Sequence, residues 1–343
     1  MAYISFQPKD HFKTKLFSGT GSSNAQTGVG FQPDLVWIKN RGSSGSNMWH
    51  DVIRAATYVL SSDATTVNTA YANGLTSFDS DGFTLGDWGG VNSNGNTFVS
   101  WNWKAGGAGS ANTDGALSST VSVNTTAGIS ITKYTGGGAA STVGHGLGVA
   151  PKVVLIKDMT SANDWRMYHA SYGNQSQLSI SQTSAADSGN TAMWNSTSPT
   201  STVFSIGTHG NVSTNSSNYM AYCFAEKKGF SKFGKYYGNG NTNGPFIFCG
   251  FKPALVIFKK TNDVGDWQVV DDKREGYNPD NDYLQANSNL AEQTTDIIDL
   301  VSNGFKIRGD DSNGWNKSGS TYVWLAFAKE PLVASNGTPA TAR

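Results

Sequence analysis

The stretch Phe31-Gln-Pro33-Asp-Leu35-Val36-Trp-Ile38-Lys39 decides the fold, because the chain writes it three times. It returns as Val149-Ala-Pro151-Lys-Val153-Val154-Leu-Ile156-Lys157, and again as Phe251-Lys-Pro253-Ala-Leu255-Val256-Ile-Phe258-Lys259. Pro33 to Pro151 is 118 residues and Pro151 to Pro253 is 102. Self-similarity at a nearly fixed period marks a chain built from like units. Working outward, a tryptophan follows each copy, at Trp49, Trp165 and Trp267. A short apolar run closing on glycine comes next, ending at Gly86, Gly207 and Gly309, which lie 53, 56 and 56 residues past the respective prolines. Each copy ends on an aromatic run: Thr97-Phe-Val-Ser-Trp-Asn-Trp103, Asn218-Tyr-Met-Ala-Tyr-Cys-Phe224 and Thr321-Tyr-Val-Trp-Leu-Ala-Phe327. The lead-in recurs as Lys15-Leu-Phe-Ser-Gly19, Lys133-Tyr-Thr-Gly136 and Lys235-Tyr-Tyr-Gly238.

These runs are short, β-branched or aromatic, and bounded by glycine, asparagine and aspartate, which is the pattern of strands. Phe98, Trp101 and Trp103 do not share one face, so the final strand of the first copy is expected to be covered on both sides. Residues 49–60 carry apolar positions at helical spacing, but in the second copy Tyr172-Gly-Asn breaks the pattern; strand, turn and strand are expected instead. Asp81-Gly82 and Asn303-Gly304 signal tight hairpins. The expectation is an all-β protein of three tandem antiparallel β-sandwich or jelly-roll-like modules from an internal triplication. They span residues 1–110, 111–228 and 229–330, with residues 331–343 as a C-terminal arm. The glycine-rich residues 105–110 read as a flexible spacer. The apolar positions should fill three separate interiors.

Composition narrows the function. Lys+Arg and Asp+Glu both count 25, for a net charge of zero, which gives no footprint for nucleic acid or an anionic membrane. Glycine reaches 40 of 343 residues while charged residues make up only 15%, a polar but uncharged surface suited to many turns. No run approaches the ~18 apolar residues of a membrane span, and Met1-Ala-Tyr-Ile-Ser-Phe6 has neither the basic start nor the apolar core of a secretory leader. Cys223 and Cys249 form no framework and fit no zinc spacing, and are expected as buried free thiols. Folding in a reducing cytoplasm fits, as does later release in a particle.

Catalytic motifs are absent: there is no nucleophile elbow, phosphate loop, dinucleotide fingerprint or zinc-protease helix. No cofactor and no metal are expected. His50 and His169, beside the second-strand tryptophans, read as packing residues for want of a partner group. Asp79-Ser-Asp81-Gly82 begins like a calcium loop but lacks the later ligands, so a plain hairpin is preferred. Asp271/Asp272 and Asp310/Asp311 would serve a glycosidase only if they faced across a cleft, and neighbours on a strand point to opposite faces. The sharpest binding candidates lie in the loops before the final strands, at residues 86–96, 207–217 and 309–320. They carry Asp87, Trp88, His209, Asp310, Asp311 and Trp315 amid asparagine and serine. Aromatic faces beside amides and acids can stack on and hydrogen-bond to a sugar ring. The alternative, favoured on general grounds, is that these tryptophans cap the ends of their own cores or pack between modules, while Trp37, Trp101, Trp103 and Trp324 are core by position.

Four segments carry a resemblance: Gly30-Phe-Gln-Pro-Asp-Leu-Val-Trp-Ile-Lys39, Ala72-Asn-Gly-Leu-Thr-Ser-Phe-Asp-Ser-Asp-Gly-Phe-Thr-Leu85, Thr97-Phe-Val-Ser-Trp-Asn-Trp-Lys104 and Ala334-Ser-Asn-Gly-Thr-Pro-Ala-Thr-Ala-Arg343. Together they resemble structural proteins of marine tailed bacteriophages, tail-fibre-like and with lectin-like β-sandwich modules. The resemblance implies a non-enzymatic virion component made in the host cytoplasm, a homo-oligomer with other tail or capsid proteins as partners. The first expectation is a tail-associated fibre or receptor-binding protein contacting host surface glycans. The second is a capsid decoration or connector protein with no glycan ligand, and a weaker third is a polysaccharide depolymerase.

Overall fold

The structure, a computed structural model, describes residues 7–274, 278, 281–310 and 314–331. Asp311 and residues 332–343 of the expected arm lie outside them. The chain is all-β, and its strands pair antiparallel in three large sheets backed by smaller ones. Each large sheet sets four strands side by side in one order: lead-in, closing, proline and next strand. In the first segment these are Phe12–Ser18, Thr97–Trp103, Leu35–Asn40 and Met48–Asp51. In the second they are Ile129–Thr135, Asn218–Phe224, Val153–Asp158 and Arg166–His169. In the third they are Ser231–Tyr237, Thr321–Pro331, Phe251–Lys260 and Gln268–Asp271. Residues 49–60 are, as expected, strand, turn and strand, the second strand being Tyr58–Ser61.

The proline and closing strands are apolar on both faces, and the packing shows why. Alternate side chains of a strand point to opposite faces. Val36, Ile38 and Phe98 point outward onto the small sheet of their own segment. Leu35, Trp37, Val99, Trp101 and Trp103 point inward. There they meet Val153, Leu155, Tyr222 and Phe224 from the second segment and Leu255, Ile257, Leu325 and Phe327 from the third. The expectation of three separate interiors is therefore corrected. Each segment has a core between its two sheets, but the largest core is common to all three. Both faces of each large sheet are covered, so each fully buried large side chain contributes about 1.5–3 kcal/mol of hydrophobic stabilisation.

Strand register also corrects the alignment of the tryptophans. Trp37 pairs with Trp49, Leu155 with Met167 and Ile257 with Val269. Trp165 and Trp267 thus stand two residues earlier, in the place of Asn47, and His169 stands in the place of Asp51 and Asp271 rather than of His50. This offset has a purpose at the joints between segments. Trp165 Nε1 donates to Ser61 O at 2.7 Å, Trp267 Nε1 to Ser179 O at 2.7 Å, and Asn47 Nδ2 to Gln285 O at 3.0 Å. Second holds first, third holds second, and first holds third. The backbone repeats the cycle: Asn68 N donates to Met159 O, Ala186 N to Thr261 O and Glu292 N to Arg41 O, at 3.2, 2.7 and 2.9 Å. A head-to-tail contact that returns on itself closes a ring. Inside it, Lys39, Lys157 and Lys259 are fully buried, each donating to a carbonyl (Gly45, Asn163 and Gly265), and burial pushes all three down to about 8.

One further expectation changes. Residues 105–110 are no flexible spacer: Asp34 Oδ2 accepts from Ala105 N at 2.7 Å and from Gly107 N at 3.2 Å, and Ser110–Asn112 joins the second sheet. Asp81-Gly82 and Asn303-Gly304 mark tight hairpins as expected, each glycine pairing across its turn with Asp79 and Val301 respectively. Close approach requires glycine at both, since a Cβ would lie 1.8 Å from Gln26 O at Gly82 and 2.0 Å from Ile247 O at Gly304, and Gly82 also has a φ of +145°.

His50 and His169 are buried, and burial holds both near 4, well below the usual imidazole value of 6.5. Between pH 4 and 6.5 the unfolded chain binds more protons at these sites, so stability falls on acidification across that window, by at most about 3 kcal/mol for each histidine. Urea midpoints at pH 7 and pH 4.5 measure the loss. Part of it should vanish in His169→Gln, and an unchanged slope in that variant would assign the acid sensitivity elsewhere.

Candidate functional site

The loops before the closing strands are built alike in the first two segments. Each makes one helical turn, Gly89–Asn92 and Gly210–Ser213, preceded by Trp88 and His209 respectively, of which only His209 caps its turn through the side chain. His209 Nδ1 accepts from Asn211 N at 3.1 Å, and burial with Arg166 nearby lowers its pKa. Asn92 ties the first loop down. It accepts from Thr20 N and Asn24 Nδ2, each at 2.9 Å, and donates to Ser22 O and Gly86 O, each at 2.6 Å. Asn316 does the same in the third segment, donating to Gly309 O at 2.7 Å. The sequence pattern does not single out these two asparagines, because polar loop residues look alike until their partners are known.

Trp88 is half-buried and stacks on Tyr71, with ring centroids 3.8 Å apart and planes inclined by 13°. Gly90 lies against its indole, where a Cβ would come within 2.4 Å of the ring. Beside the stack opens a shallow hollow of about 340 Å³, to which the exposed Asn73 and Asp87 contribute an amide and a carboxylate. Trp315, by contrast, is buried in the outer core of the third segment, its carbonyl accepting from Tyr236 OH at 2.7 Å and its ring 6.0 Å from Tyr283. Asp310 is half-buried in the same loop. Of the expected residues, the structure brings Asp87 and Trp88 together around a hollow. Trp315 is placed as a core cap. Tyr71, which completes the stack, stands outside the loops that sequence spacing marked.

The other acidic groups are engaged. Asp81 accepts from Gly28 N and Gly30 N at 2.9 and 2.6 Å, which lowers its pKa, and Asp79 accepts from Ser77 and Thr84 hydroxyls. Asp271 is buried against Arg274, with Asp271 Oδ2 and Arg274 Nε 2.7 Å apart. Asp272 pairs with Lys329 at 2.9 Å, and burial raises its pKa. Cys223 and Cys249 are buried free thiols, both pushed up by burial. Among the described residues no helix is long and apolar enough to cross a membrane.

A second hollow, of about 310 Å³, lies at the joint between the first and second segments. Arg54, Asn68 and Tyr58 line it from the first segment, and Lys133, Thr160 and Asn218 from the second. Arg54 is buried, with Nε 2.5 Å from Asp51 Oδ2 and Nη1 donating to Asn68 Oδ1 at 3.0 Å.

The fold and these hollows define an all-β protein of three sandwich-like segments closed around one shared core, with shallow polar recesses at its surface. The chain belongs to the DUF7483 family, described as a domain of unknown function, whose model matches residues 7–331 in one piece across all three sheets. No curated protein and no solved structure matches the chain.

Proposed function

We propose that the chain is a non-enzymatic, tail-associated adhesion protein of a bacteriophage particle that contacts host surface glycans through the Tyr71–Trp88 hollow. The particle setting, the partner virion proteins and a homo-oligomeric state rest on the sequence resemblance, and an origin of the three segments by triplication rests on the internal repeat. The observation that carries the binding reading is the pre-stacked aromatic pair beside Asn73 and Asp87. Its geometry is set before any ligand arrives, so little side-chain ordering is left to oppose association. One shallow hollow gives weak affinity; many copies on a particle gain avidity.

Trp88→Ala is expected to weaken binding of the protein to host envelope polysaccharide about tenfold, which corresponds to 1.4 kcal/mol. Surface plasmon resonance on immobilised polysaccharide measures it, with the melting temperature as a control for folding. Equal binding by variant and wild type would remove this hollow from the reading.

A second reading, a decoration or connector protein, has its own observation. The sheet-edge strand Phe246–Phe248 leaves Phe246 and Phe248 48% and 51% exposed, and Tyr237 is 60% exposed. Exposed apolar groups of this size mark surfaces that other proteins cover. Micrographs of particles carrying a tagged copy separate the readings: label at the tail tip favours adhesion, label over the head favours decoration.

A further inference from the structure

The three joints are built to one plan, and comparing them exposes a position that one joint fills with a carboxylate and another with a neutral amide. Arg54 and Arg274 hold the same place, each three residues after a buried aspartate at the end of its strand. Asn68 and Glu292 also hold the same place, since their backbone amides make the equivalent hydrogen bonds across the joint to Met159 O and Arg41 O. Where the third segment meets the first, the Glu292 carboxylate is clamped by two guanidinium groups. Arg41 lies 2.6 Å away on one side and Arg274 3.0 Å away on the other. Where the first segment meets the second, Asn68 supplies a neutral amide, its Oδ1 accepting from Arg54 Nη1 at 3.0 Å, and Met159 stands where Arg41 does, so Arg54 lacks the second carboxylate that Glu292 gives Arg274. There the hollow of about 310 Å³ opens, and Lys133 is added at its exposed rim. No carboxylate lines this hollow, and Lys133 has no ion pair among the described residues. At the remaining joint, Tyr172 and Ala186 replace the cation and the acid, and Tyr172 OH bonds Thr261.

We propose that the hollow between the first and second segments binds the carboxylate of an acidic sugar against Arg54 and Lys133, beside the Asn68 amide that stands in the place of Glu292. Arg54, with Lys133, supplies the cationic face, because ionised donors make the stronger hydrogen bonds to a carboxylate. The rest of the rim suits a sugar ring better than an apolar or aromatic acid. Tyr58 offers a flat, 38% exposed ring to stack on, and Asn68, Thr160 and Asn218 offer amides and a hydroxyl to ring hydroxyls. The volume is at the small end of the range for ligand sites, which fits one sugar residue rather than a chain. This site is separate from the Tyr71–Trp88 hollow and does not depend on it.

Isothermal titration of the full chain with glucuronate, glucose and acetate tests the proposal. Glucuronate should bind, acetate at least about tenfold more weakly and glucose not measurably, a tenfold step being 1.4 kcal/mol. Lys133→Leu, a change on the exposed rim, should weaken glucuronate about tenfold, as expected for one charge-assisted hydrogen bond. Asn68→Glu should abolish binding by placing the chain's own carboxylate on Arg54, with an unchanged or raised melting temperature. Trp88→Ala should leave glucuronate binding as it is, so this site and the first hollow fail or stand separately. No binding of glucuronate to the wild type would overturn the proposal, as would equal affinity in Asn68→Glu and Lys133→Leu. Acetate binding as tightly as glucuronate would overturn the sugar assignment.

Discussion

Asp271→Ala is expected to destabilise the protein by about 3 kcal/mol, because it removes the closer of the two carboxylates that hold the buried Arg274 and leaves the guanidinium with Glu292 alone. Asp271 and Arg274 are both fully buried, and one carboxylate serves four donors. Its Oδ1 accepts from Lys273 N and Arg274 N at 2.9 and 3.1 Å, and its Oδ2 from Arg274 Nε at 2.7 Å and from Trp101 Nε1 at 3.0 Å. The last bond reaches from the third segment into the first, so the substitution cuts one joint of the ring as well. Urea unfolding followed by tryptophan fluorescence measures the effect. A double-mutant cycle with Trp101→Phe separates the cross-joint part, expected at about 1 kcal/mol for one hydrogen bond. A loss below about 1 kcal/mol for Asp271→Ala would mean that Glu292 by itself holds Arg274 and that the bond to Trp101 adds little to the joint. Asp51 makes the corresponding bond to Tyr222 OH at 2.7 Å, so Asp51→Ala should behave similarly at the next joint.

The second large effect is expected at the centre of the shared core. Phe327 is packed among aromatic rings from every segment. Phe12 and Trp103 of the first lie 5.6 and 5.5 Å away between centroids, Phe224 of the second 5.6 Å, and Phe233 of its own segment 5.8 Å. Phe327→Ala removes the ring on which these four converge. Large-to-small changes of this kind cost about 3–5 kcal/mol when the surroundings cannot collapse. Three sheets braced against one another have little room to do so. The unfolding transition should stay single and coincide by circular dichroism and fluorescence, because no segment retains its inner face without the other two. Three separable transitions would show that the segments stand alone and that the central contacts are incidental.

How much of this could be read beforehand divides at the boundary between local and global information. Strand positions were legible in residues such as Leu35-Val36-Trp37-Ile38, since β-branched and aromatic runs between glycines leave few other conformations. Two-sided burial of the closing strand was legible from Phe98, Trp101 and Trp103 as well. What covered the inner side was not, because an apolar face looks the same whether its partner lies in the same segment or in another. The two-residue offset of Trp165 and Trp267 from Trp49 was hidden for a related reason. Spacing counts residues, while pairing register fixes which of them face each other, and turns of unequal length break the correspondence. For the site, Asp87 and Trp88 were legible as an aromatic beside an acid in a loop, whereas Tyr71 and the Arg54–Lys133 hollow depend on contacts that no spacing encodes. Trp315 carried the same loop signal and is a core cap, so the signal by itself does not tell exposure from burial.

The three joints differ in chemistry: Asp51 with Tyr222, His169 with the Trp324 carbonyl, and Asp271 with Trp101. In an assembly of three identical chains every residue change is made at all three contacts simultaneously, and any change harmful at one is harmful at each. A single polypeptide that closes on itself escapes this constraint. One seam can be tightened by an arginine–glutamate clamp while its neighbour is loosened into a recess, and the fixed order of the seams gives the body a unique front that a true threefold object lacks.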